Sequence, residues 1–107
     1  MRILLVGAGG VGSAFTAIAA RRDFFERCVV ADYDEARSRR AVDALAVGKR
    51  AVEGRADDRF VAAQVDASDA GSVESLVREH GITHVMNAVD PRFVMPIFNG
   101  AYAALSD

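Results

Sequence analysis

The chain has 107 residues, of which 51% are hydrophobic and 26% charged, and its formal net charge is −2. This length suits one domain with a modest core, and the balanced charge argues against nucleic-acid and membrane-surface partners. No apolar run approaches the roughly 20 residues that cross a bilayer, and no signal peptide is expected. The single cysteine, Cys28, cannot form an internal disulfide. We therefore expect a cytoplasmic protein.

The first predicted element is a short buried strand that runs into a glycine turn and then a helix. Residues 3–6 form a continuous apolar run, and the pattern Gly7-x-Gly9-x-x-Gly12 follows at once. Apolar residues then recur at helical spacing to about residue 22. This order is typical of a dinucleotide-binding domain, because the glycines allow a tight turn, close approach of a pyrophosphate and close packing of the helix.

An acid ends the second predicted strand, residues 28–31, as a dinucleotide site requires. Asp32 follows Gly12 by 20 residues, close to the roughly 20 expected for the acid that binds ribose hydroxyls. A carboxylate there would repel a 2′-phosphate, so the sequence favours NAD over NADP, although NADP is possible. In the alternative, arginines of the next helix hold that phosphate: Arg37, Arg39 and Arg40.

Helices and strands continue to alternate along the rest of the chain. Asp34 is a candidate cap of the second helix, and Ser68 or Asp69 of the third. We expect the last helix to bury apolar residues that include Ile97, Phe98 and Tyr102. The predicted elements are a helix to about residue 47, a strand over 59–65, a helix that ends at 80, a strand over 82–88 and a helix over 92–105.

This alternation predicts an α/β fold of the Rossmann type, in which residues 1–107 form one dinucleotide-binding domain. We expect three layers, α/β/α, and a four-stranded parallel sheet in the order 3-2-1-4, which is half of a doubly wound sheet. In that order the fourth strand is an edge, and it has neither the proline nor the lysine that usually blocks edge pairing. We therefore expect a homo-oligomer formed through this edge.

Ligands of such sheets lie across the carboxyl ends of the strands. We expect Asp32 at the adenine ribose, Asp66 at the border of the adenine ring and Asn87 near the nicotinamide-side ribose. The alternatives are that Asp66 caps a helix and that Asn87 bonds its own backbone. No metal site and no catalytic group can be assigned. The candidate cofactor-binding residues are Gly7, Ala8, Gly9, Gly10, Val11, Gly12, Asp32, Tyr33, Asp66, Ala67, Asn87 and Ala88.

Four stretches, residues 4–22, 29–34, 60–69 and 85–98, together resemble the N-terminal domain of the saccharopine dehydrogenase-like family. The stretch Asn87-Ala-Val-Asp-Pro91 is the most particular part of the resemblance. The family implies NAD(P)-dependent oxidoreduction at an amine or imine carbon of amino acids or polyamines. Its members are longer, so the resemblance implies a cofactor domain without its substrate domain, and we expect no turnover by the chain alone. The residues it implies at the cofactor are Gly7, Gly9, Gly12, Asp32, Asp66 and Asn87.

Two other interpretations share some of these features. The cytoplasmic regulatory domains of potassium transport systems also join a GxGxxG turn to an acid and to an aspartate after the third strand. Such a nucleotide-sensing module gates a partner and catalyses nothing, but the loop at residues 87–91 argues against it. A short-chain-type reductase would need a Tyr-x-x-x-Lys pair, which the sequence lacks.

Overall fold

The structure, a computed structural model, describes residues 1–9, 24–44, 59–88 and 94–105. The predicted first helix and the predicted loop over 49–58 lie outside the described residues. No helix in the described ranges is long and apolar enough to cross a membrane. The elements are strands β1 Arg2–Val6, β2 Arg27–Asp32, β3 Phe60–Gln64 and β4 His84–Asn87, and helices α1 Glu35–Ala44, α2 Ala70–His80 and α3 Val94–Leu105.

The four strands form one parallel sheet in the order β3-β2-β1-β4, which confirms the predicted fold class and topology. The register aligns the carboxyl ends of the strands. Val6 at the end of β1 lies between Ala31 of β2 and Asn87 of β4, and Asp32 lies beside Gln64 of β3. Residues that directly follow these strands therefore lie close together, at the end of the sheet where the strands finish.

Helices cover the sheet on both faces, so the predicted three layers are confirmed. Leu4 and Val6 of β1 contact a core cluster that includes residues of α2 and α3. Ile3 and Leu5 point to the opposite face, where their cluster reaches Ala41 of α1 and Val42 beside it. Because both faces of β1 are buried, its sequence is a continuous apolar run and not an alternating one.

Helix α2 has a distinct cap at each end, and its last turn is bonded to β1. Asp69 is the N-cap, since its Oδ1 accepts the Gly71 N–H at 2.9 Å. Gly81 ends the helix in the left-handed conformation, with φ 62°, as the glycine at that place predicts. The guanidinium of Arg2 also donates to the carbonyl of His80 (2.7 Å), which ties the last turn to β1.

The prediction that Phe98 and Tyr102 pack into the core was wrong. Ile97 is buried, but Phe98 and Tyr102 are 57% and 65% exposed and stack on each other with ring centroids 5.9 Å apart. The side of α3 that faces α2 is instead centred near Gly100, which lies against the backbone of Ala70. Residues two positions from Gly100 lie roughly 200° around the helix, so both aromatic rings face outward.

Candidate functional site

A cavity of about 180 Å³ lies at the carboxyl ends of β1, β2 and β3. It is smaller than the roughly 300–1,000 Å³ of sites that enclose a whole drug-sized ligand, so it suits one part of a larger molecule. The cavity combines apolar walls with two carboxylates and one guanidinium. Its lining residues are Val6, Gly7, Asp32, Tyr33, Arg37, Val65, Asp66 and Ala67.

Gly7 begins the turn that follows β1. Its φ of 109° lies in a region that residues with a Cβ rarely adopt, so the position requires glycine. Its N–H donates to the carbonyl of Ala31 at 2.7 Å, which extends the β1–β2 pairing by one residue into the turn. The predicted role of Gly7, a sharp departure from the strand, agrees with this geometry.

Asp32 is bonded directly to the glycine turn, which sequence reasoning missed. Its Oδ2 accepts the Ala8 N–H at 2.9 Å, and its Oδ1 accepts the Asp34 N–H at 3.0 Å. The residue is buried, and a guanidinium nitrogen of Arg37 lies 3.9 Å from Oδ2. The acid therefore fixes the turn after β1 to the turn after β2. The spacing to Gly12 predicts an acid at position 32, but it does not predict the hydrogen bonds that this acid accepts.

Gly9 is exposed, and its backbone is not in the left-handed region. In the part of the chain that the structure describes, a Cβ built on Gly9 meets no atom within 4 Å. Neither backbone strain nor contact with the described residues requires a glycine here, and a glycine at this place is compatible with close approach of a ligand to the backbone. Three other predicted members of this turn, Gly10, Val11 and Gly12, lie outside the described residues.

Asp66 and Ala67 line the same cavity from the end of β3. The Asp66 Oδ1 accepts both the N–H and the hydroxyl of Ser68, at 3.0 and 2.5 Å. The hydrogen bond from the Ser68 side chain, followed by that from its backbone, lowers the pKa of Asp66 below its ordinary value. The helix-capping alternative fails in its simple form, because the N-cap of α2 is Asp69, three residues later.

Tyr33 and the end of β4 complete the set of predicted residues. Tyr33 is exposed at the rim of the cavity, and its carbonyl accepts a hydrogen bond from Gln64 at 3.4 Å. Asn87 lies beside Val6, and the Ala88 N–H donates to the Val6 carbonyl at 2.8 Å. Asn87 and Ala88 are thus next to β1 but on the side away from β2, and they do not line the cavity.

The three arginines proposed as alternative phosphate ligands differ in position. Arg37 lines the cavity beside Asp32. Arg39 pairs with Glu35 one turn earlier on α1, at 3.1 Å, and Arg40 is exposed on the same helix without lining the cavity. A helix turns about 100° per residue, so the three side chains leave α1 in different directions, and Arg37 is the one that faces the cavity.

The described side chains that line the cavity are groups suited to binding a ligand: carboxylates, a guanidinium and apolar surface. In the described ranges, no cluster of three or more His, Cys, Asp or Glu residues could hold a metal ion. Burial raises the pKa of the Cys28 thiol to about 12, although Arg59 lowers it slightly, so the thiol stays protonated at neutral pH. Cys28 is a buried core residue of β2, as predicted.

The family model described as the saccharopine dehydrogenase NADP binding domain matches residues 3–104. The match includes all four strands, apart from the first residue of β1, and every residue that lines the cavity. A comparison with curated proteins found no match. The cofactor of the domain is therefore a nicotinamide dinucleotide, NAD(P), and the domain is of the kind that serves an oxidoreductase.

Proposed function

Because the chain belongs to the saccharopine dehydrogenase NADP-binding domain family, we propose that it holds NAD(P) for an oxidoreductase acting on a C–N centre of an amino acid or polyamine. The bound dinucleotide supplies the hydride chemistry. The residues of this domain bind and orient it. The adenosine half occupies the cavity beside Asp32, and the nicotinamide half extends past β1 toward Asn87.

Asp32 and Asp66 recognise different parts of adenosine in this proposal. A carboxylate has about four lone-pair positions, and the two backbone bonds to Asp32 leave further positions for ribose hydroxyls. Asp66 is a carboxylate at neutral pH, so it is an acceptor suited to the amino group of adenine. The hydrogen bonds from Ser68 lower its pKa and favour the same form. Val65 and Ala67 supply apolar contact for the ring.

The observation that carries the proposal is that none of the described residues lies close to where a Cβ of Gly9 would be. A methyl group at this position meets nothing in the described residues, so it should not disturb the fold. It would, however, stand where the pyrophosphate must approach the backbone. The variant Gly9→Ala therefore separates binding from folding, which few substitutions in a glycine turn can do.

Titration calorimetry with NAD and NADP tests this directly on the wild type, Gly9→Ala and a control, Gly71→Ala. Gly71 is exposed on α2, away from the cavity, so its variant adds the same methyl group elsewhere. We expect Gly9→Ala to raise the Kd at least about tenfold, or 1.4 kcal/mol, with an unchanged unfolding midpoint. Equal affinity of Gly9→Ala and wild type, or no binding by the wild type, would contradict the proposal.

We also propose that NAD binds more tightly than NADP, because the buried charge of Asp32 repels a 2′-phosphate. The same titrations compare the two cofactors on the wild type. Equal or tighter binding of NADP would show that a cation completely offsets the repulsion between Asp32 and the 2′-phosphate.

A cytoplasmic location belongs to this proposal too, since Cys28 is a free thiol. Cell fractionation would test it.

Self-association through β4 is a further part of the proposal. In the sheet order, β4 has β1 on one side and no described strand on the other. On α3, which contacts β4, exposed apolar residues border a depression of about 380 Å³. An unpaired strand edge beside an apolar surface favours a second copy of the same chain. Sedimentation equilibrium at micromolar concentration should give a dimer, and Phe98→Lys should weaken it; a wild-type monomer would contradict this.

A further inference from the structure

Arg37 is the basic residue that lines the cavity among those the structure describes. Its guanidinium lies 3.9 Å from the Asp32 carboxylate and its side chain is 53% exposed. Asp32 is already bonded through both oxygens to backbone N–H groups at 2.9 and 3.0 Å. Arg37 is therefore not needed to satisfy Asp32, and its own five N–H donors are available for a stronger acceptor.

Arg39, on the same helix, shows a different arrangement. It donates to the Glu35 carboxylate at 3.1 Å, one turn along the helix. Arg39 is 63% exposed and does not line the cavity. The two arginines carry the same charge on one helix, but Arg37 alone of this pair can reach a ligand beside Asp32.

We propose that Arg37 determines how far the domain discriminates between NAD and NADP. The inference rests on the proposed function, because it assumes adenosine in the cavity. The added group in NADP is a phosphate of about two negative charges on the ribose, where Asp32 supplies repulsion. A planar guanidinium can hold such a phosphate through two parallel bonds. Arg37 turns from Asp32 to the 2′-phosphate when NADP binds, and stays beside Asp32 when NAD binds.

This division of roles predicts a moderate preference for NAD instead of exclusion of NADP. Asp32 is fixed by the backbone, so its charge cannot move away from the 2′-position. Arg37 is loosely paired and more than half exposed, so it reorients without loss of a buried contact. Increasing salt should weaken NADP binding more than NAD binding, because it screens the added ion pair.

The test compares Arg37→Gln with the matched control Arg39→Gln, each removing one positive charge from α1. We expect Arg37→Gln to weaken NADP binding about tenfold or more, to change NAD binding less than about threefold, and to abolish the extra salt dependence. Arg39→Gln should leave the ratio of the two Kd values unchanged. Both side chains are exposed, and equal urea unfolding curves would confirm that folding is intact.

Three results would overturn the inference. If Arg37→Gln weakens NAD and NADP equally, Arg37 contacts a part that the cofactors share. If it changes neither, or if Arg39→Gln has the same effect, the selectivity has another origin. In each case tight NAD binding by the wild type would leave the proposed function standing. Failure of the wild type to bind either cofactor would overturn the proposed function itself.

Discussion

Gly100 lies where α3 passes closest to α2, and the packing of the two helices depends on its missing side chain. A Cβ at this position would lie 2.3 Å from the Ala70 carbonyl oxygen and 2.8 Å from the Val73 Cβ. The nearest of these atoms belongs to the backbone and cannot rotate away. Gly100→Ala must therefore push the helices apart or shift α3 along α2.

The size of the effect follows from two opposing terms. Restoring ordinary van der Waals contact requires a separation of about 1 Å, and overpacking of this kind costs about 1–3 kcal/mol, with a backbone clash at the upper end. Replacing glycine by alanine inside a helix raises the free energy of unfolding by about 1 kcal/mol. The expected net loss is about 2 kcal/mol, which corresponds to a fall in Tm of about 8–16 °C for a domain of this size.

Urea unfolding followed by circular dichroism measures this loss for Gly100→Ala beside the control Gly71→Ala. Gly71 is also helical, but its added Cβ would meet only the Asp69 carboxylate oxygen, at 3.3 Å, and that side chain is at the surface. The control should differ from the wild type by less than about 1 kcal/mol, because the gain from alanine in a helix opposes any displacement of the Asp69 cap. A Gly100→Ala protein as stable as the wild type would refute the close approach of α2 and α3.

Four further predictions concern three single residues. Gly81→Ala should lose about 1–2 kcal/mol in urea unfolding, because φ is 62°, and Gly81→Asn should lose less. The buried hydroxyl of Ser38 has no hydrogen-bond partner in the described part of the chain, so Ser38→Ala should be neutral or up to about 1 kcal/mol more stable; a clear loss would indicate a bond. The Cys28 thiol, with its pKa raised from 9.0 to about 12, should resist a thiol reagent at pH 8 until urea unfolds the protein. The stability that this neutral thiol contributes should be complete below pH 9 and be lost between pH 9 and about 12, which unfolding across that range would check.

The fold could be predicted because its signals are local and mutually consistent. Apolar runs of strand length alternate with helical periodicity, and the glycine turn fixes which strand is first. Asp32 ends β2 and Asp66 lies two residues after β3, and parallel strands bring their carboxyl ends to the same end of the sheet. Both acids, Gly7 and Ala67 accordingly line one cavity, as the sequence predicts.

The parts that sequence did not predict depend on contacts between distant residues. Phe98 and Tyr102 have the apolar character of core residues, but the approach of α2 at Gly100 decides which side of α3 is buried. The bond from Ala8 to Asp32 joins two turns that are 24 residues apart. Arg37 differs from Arg39 only through the orientation of α1 against the sheet, which no local pattern specifies.

Amide chemical-shift mapping of the labelled domain with NAD tests the central claim most directly, because it reports both binding and its location. The claim predicts saturable shifts for the amides of Gly7, Gly9, Tyr33 and Ala67, which border the turn and the cavity. The exposed face of α3 should remain unchanged at the same NAD concentration. Saturable shifts confined to α3, or no shifts at millimolar NAD, would contradict a cofactor site at the carboxyl ends of the strands.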